Sequence, residues 1–94
     1  MLFALIGLLK PNVRKDQLPD PDAVNEHLSQ PFRRTHLAGF LCRDGGHRAG
    51  LMMLVEANGF AEAERFLHQS PFFKADLYER VEVLEYALEV GRLD

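Results

Sequence analysis

Residues 49–57, AGLMMLVEA, narrow the folds open to this chain more than any other stretch. In a strand, alternate residues point to opposite faces. One set here is Ala49, Leu51, Met53 and Val55, and the other contains Met52 and Leu54. Both faces are apolar, so the strand belongs in the middle of a sheet with cover on each side. Residues 2–9, LFALIGLL, have the same character and predict a second central strand.

The other segments arrange themselves around these two. Asp20 is a good helix N-cap and Pro21 a good first helical residue. Val24, Leu28 and Phe32 follow at i, i+4, i+8 spacing, with His27 beside that stripe and Pro31 expected to end the helix. THLAGFLC reads as a strand, and RDGGHR as the tight turn of a hairpin. Asn58 is placed to cap a second helix, GFAEAERFLHQS. Its inner stripe is Phe60, Ala63, Phe66 and Leu67, and its wet face is Glu62, Glu64 and Arg65. Pro71 should close that helix, residues 72–78 should form an irregular corner, and YERVEVLEYALEV should be the last strand. The charges spread along that strand suit a sheet edge.

The order β-α-β-β-α-β defines an α+β, ferredoxin-like chain. Its four-stranded, antiparallel-type sheet has the first and third strands in the centre and two helices on one face. Two helices cannot cover the other face, so the two-sided strands predict cover from elsewhere, most simply a second copy in a homodimer.

Composition adds exclusions. The 94 residues suit one domain, 1–94, and 47% of them are apolar, which favours a folded chain. The net charge is -3 with no basic run, so nucleic acid is not an expected partner. Cys42 is the single cysteine, which leaves no internal disulfide and fits a reducing, cytoplasmic setting. The apolar run at residues 1–9 is too short to span a bilayer and lacks the basic flank of a signal peptide. His27, His36, His47 and His68 are too scattered for metal-ligand spacing, so neither metal nor cofactor is expected.

Several stretches together resemble a known family. The chain has an apolar first strand, EHL on the first helix, AG on the second strand, A-E-x-F on the second helix and the close PFFKADLYERVEV. These features resemble the YCII-related proteins of the dimeric α+β barrel superfamily. The resemblance implies sheets packed face to face in a dimer and a pocket between sheet and helices. It also implies a general acid/base pair of histidine and aspartate, with lyase-type chemistry on a small organic molecule. The histidine corresponds to His27. The aspartate position corresponds to Ser70, so this chain has a hydroxyl where the family has a carboxylate.

The candidate catalytic residues are therefore His27 and Ser70, with Arg34, Phe72 and Tyr78 as candidate substrate-binding residues. Each also has a plainer reading. His27 suits a helix edge against the core, Ser70 a polar helix end, Arg34 a solvated helix end, and Phe72 and Tyr78 packing. Two functions stay open: acid/base catalysis on a small organic molecule, or a non-catalytic ligand-binding or interaction dimer that has lost the pair.

Overall fold

The computed structural model describes residues 1–29 and 34–92. Its elements are β1 (Leu2–Leu9), α1 (Pro21–Leu28), β2 (Thr35–Cys42), β3 (Arg48–Glu56), α2 (Phe60–His68), α3 (Pro71–Lys74) and β4 (Tyr78–Glu85). The sheet order is β2-β3-β1-β4 and every pairing is antiparallel. The first and third strands are central, as the two-sided apolar pattern requires.

Register assigns each residue to a face. Phe3 pairs with Val55 and Leu5 with Met53, and these four pack with Ala63, Phe66 and Leu67 of α2. Phe3 and Val55 are fully buried. Burial of one such side chain contributes about 1.5–3 kcal/mol. A second cluster joins Val24, Leu51, Phe72 and Leu77, bringing α1, β3 and the α3–β4 corner together.

The opposite face carries Ala4 against Leu54, Ile6 against Met52, and Leu37 against Leu54. Leu54 and Ala4 are buried at its centre, while Leu37 and Leu84 are 48% and 49% exposed. None of the described helices contributes to the packing there, so the face is a ring of half-exposed apolar side chains around a buried middle.

Local chemistry explains most helix ends. The Asp20 side chain accepts a hydrogen bond from the Asp22 N–H, and Pro21 holds the first helical position. α1 ends at Leu28, while the expected stop at Pro31 and the stripe residue Phe32 lie outside the described residues. At α2, Gly59 rather than Asn58 is the N-cap. Asn58 instead donates its N–H and its side-chain amide to the Glu62 carboxylate, which reaches back from the first turn. Phe60 is 48% exposed, although its ring meets Phe3 edge-on at 4.8 Å.

The structure corrects two further expectations. Residues 72–78 are not wholly irregular: Pro71 starts the one-turn helix α3, because a proline suits a first helical position as well as a stop. The last strand ends at Glu85 rather than continuing to residue 90. β4 is limited by its partner: the Tyr86 N–H donates to the Leu2 carbonyl, and there β1 runs out. At the hairpin tip Gly45 and Gly46 have φ of 84° and 82°, backbone that glycine adopts without strain.

The Asp20 cap gives a stability test. Asp20→Ala should lower the stability of the fold by about 1 kcal/mol, a fall in Tm of roughly 4–8 °C for a chain of this size. Thermal unfolding followed by circular dichroism measures it, and an unchanged Tm would show that the cap is not used.

Candidate functional site

α1 packs its last turn towards the sheet. Val24 and His27 are its buried residues, and His27 is 6% exposed. The chain reaches Ser70 at the end of α2, where the Ser70 N–H donates to the Leu67 carbonyl and its own carbonyl accepts from the Lys74 N–H. Ser70 occupies the N-cap of α3, yet its hydroxyl caps nothing. It lies 3.4 Å from the Tyr78 hydroxyl instead.

Tyr78 opens β4, and its ring lies over Gly7 of β1; a Cβ at residue 7 would overlap that ring. Burial pushes the Tyr78 hydroxyl pKa above the ordinary tyrosine value, with the Ser70 hydrogen bond opposing part of that rise. The phenol is therefore protonated at neutral pH and able to donate.

His27, Ser70 and Tyr78 line one small cavity, together with Leu5, Leu51, Met53 and Leu67. It measures about 10 Å³, room for roughly one water molecule. Three polar side chains converge there on an apolar floor, which is how binding sites are commonly built.

Phe72 is 5% exposed and stacks on Tyr78 with ring centroids 5.9 Å apart. It lines the next recess outward rather than the cavity itself. Arg34 lies at the other end of the sheet. It is exposed, and its carbonyl accepts from the Glu56 N–H. Glu56 pairs with Leu2, whereas Tyr78 pairs with Leu9. The fold thus brings His27, Ser70 and Tyr78 together, puts Phe72 behind Tyr78 and leaves Arg34 outside the group.

Gly7 escaped the reading of the sequence. A glycine inside an apolar strand signals a close approach, and that signal was present in LFALIGLL. Among the described residues no cluster of three or more His, Cys, Asp or Glu is arranged to hold a metal ion.

The buried phenol predicts a pH dependence. A tyrosine whose folded pKa lies above its unfolded value, about 10, adds stability that is complete below pH 10. That contribution is lost as pH rises through the folded pKa. Wild-type stability should therefore fall above pH 10 more steeply than that of Tyr78→Phe. Urea unfolding at a series of pH values measures this, and identical slopes would place Tyr78 in water.

Comparison with family models finds no match, and comparison with curated proteins finds none either. Among solved structures the chain is similar to the 5-chloro-2-hydroxyhydroquinone dehydrochlorinase of Burkholderia phenoliruptrix, in complex with 2,5-dihydroxybenzoquinone. The TM-score is 0.80 and the identity 21%, over 93% of this chain and 94% of that one. At that identity the likeness speaks to the fold, and it agrees with the strand order and helix placement: the chain is an α+β protein of ferredoxin-like topology.

Proposed function

We propose that the chain catalyses acid/base chemistry of lyase type on a small organic molecule, with His27 as proton acceptor and the Ser70–Tyr78 hydroxyl pair as donor. The carrying observation is the 3.4 Å contact between the Ser70 and Tyr78 hydroxyls in a cavity that His27 also lines. In the loss of HX from a hydroxylated ring, a base takes the proton of one ring hydroxyl, its O–H electron pair becomes a C=O, and the displaced ring electrons take up a proton at the carbon bearing X. A second hydroxyl then gives up its proton, its O–H pair becomes the second C=O, and X leaves with its bonding pair. An imidazole suits the first task. A protonated phenol suits the proton donation to the ring, and it regains a proton when the second hydroxyl gives up its own. The similar dehydrochlorinase supports this class of reaction.

The test is chloride release from 5-chloro-2-hydroxyhydroquinone by the purified chain. His27→Gln should reduce the rate about 10²- to 10⁴-fold, the usual contribution of one positioned acid or base. Tyr78→Phe should also reduce it, by a smaller factor. A rate unaffected by His27→Gln rejects the assignment.

One observation favours a second reading, a non-catalytic dimer that binds a small ligand. The cavity has room for about one water and not for an organic molecule, so a ligand would sit in the wider recesses outside it, away from His27. This reading predicts saturable ligand binding with no chloride released.

Both readings include a homodimer formed through the open sheet face. Exposed Leu37 and Leu84 beside half-buried Ile6 and Met52 support it, since monomers rarely expose a continuous apolar patch. Sedimentation at micromolar concentration should show dimers, and Met52→Asp should give monomers, because burial of an unpaired carboxylate costs several kcal/mol. A monomeric wild-type chain would refute the shared interface.

A further inference from the structure

Two recesses open beside the cavity, of about 360 Å³ and about 430 Å³. They share Leu18, Phe40, Arg48 and Phe72, so they form one groove between the residue 10–20 connection and the β2–β3 hairpin. Each is within the size range of small-molecule sites.

The walls combine flat aromatic surface with positive charge. Phe40 meets Phe72 edge-on at 6.3 Å, and Phe72 in turn stacks on Tyr78. The Arg48 guanidinium carbon stands 4.0 Å from the centre of the Phe40 ring, which anchors an otherwise flexible side chain. Lys10, Lys15, Arg43 and Arg48 line the groove against two carboxylates, Glu79 and Asp20. Lys10 is already tied to Asp76 at 3.1 Å, and Asp20 is engaged in capping α1. Arg43 and Arg48 form no ion pair among the described residues. A chain of net charge -3 has thus collected a surplus of cations around one apolar groove.

We infer that this groove binds a small aromatic carboxylate, with the ring against Phe40 and Phe72 and the carboxylate on Arg48, seconded by Arg43. A guanidinium matches a carboxylate with two parallel N–H donors, and a guanidinium already held against a ring loses less freedom on binding. The aromatic series Phe40–Phe72–Tyr78 leads from this groove to the cavity. That the ligand is also the substrate rests on the acid/base reading above; that it binds here does not.

The test titrates 4-hydroxybenzoate and uncharged 4-hydroxybenzamide into the full chain, followed by NMR. The benzoate should give saturable shifts centred on Phe40, Arg48 and Phe72, with the benzamide bound at least tenfold more weakly. Arg48→Gln, an exposed position, should retain the dispersed spectrum of the fold and lose that preference. Absence of saturable shifts, equal affinity for both probes, or a preference that survives Arg48→Gln overturns the assignment. If the preference appears while no chloride is released, the groove stands and the acid/base reading falls. If chloride release depends on His27 while the preference is absent, the groove alone falls.

Discussion

Strand β1 is hydrogen-bonded along both edges, to β3 from Leu2 to Leu8 and to β4 from Phe3 to Leu9. The rest of the molecule is arranged on that pairing. Phe3 and Leu5 lie under α2, and the next residue on the same face is Gly7. With no side chain there, the Tyr78 ring settles onto the strand itself. That low position lets its hydroxyl reach Ser70, which leaves α2 on the same side of the sheet. A larger residue at position 7 would lift the ring and separate the two hydroxyls. The candidate site is thus a consequence of how the central strand is packed.

Much of this fold was legible because it depends on local rules. Asp20 and Pro21 mark the start of α1 by satisfying and removing backbone N–H groups that the first turn leaves unbonded. The two-sided strands found the sheet centre because exposed edges do not tolerate such sequences. The failures were not local. YERVEVLEYALEV keeps its alternation past residue 85, yet the strand stops where its partner stops. Pro71 carried two meanings, a stop for one helix and a first residue for the next, and the backbone takes the second.

The site was legible in part, and for a different reason. Nothing in the local sequence joins His27 to Ser70; the resemblance did so, and the structure places both on one cavity. Tyr78 was named, but its contact with Ser70, eight residues back, depends on the one-turn helix between them. Arg34 was named for its charge alone, and charge does not say at which end of a sheet a residue lies. The groove around Arg48 left no pattern to read, because a connection, a hairpin and a helix each supply a few of its residues.

A serine rather than a carboxylate at position 70 sets the energetics of the cavity. Ser70 is 2% exposed, and an ionised carboxylate buried to that extent needs a positive partner or several donors to repay its desolvation. Two neutral hydroxyls facing each other avoid that cost, so the pair is compatible with a small, apolar-lined space. They also provide less electrostatic help to a proton acceptor than an anion would. On the acid/base reading, His27 must then rely on the substrate for part of that help. The Arg48 groove is suited to supply it by fixing an anionic group outside the cavity while the reacting carbon is held at Tyr78. Charge would then reside where water keeps it cheap, and the buried hydroxyls would do the positioning.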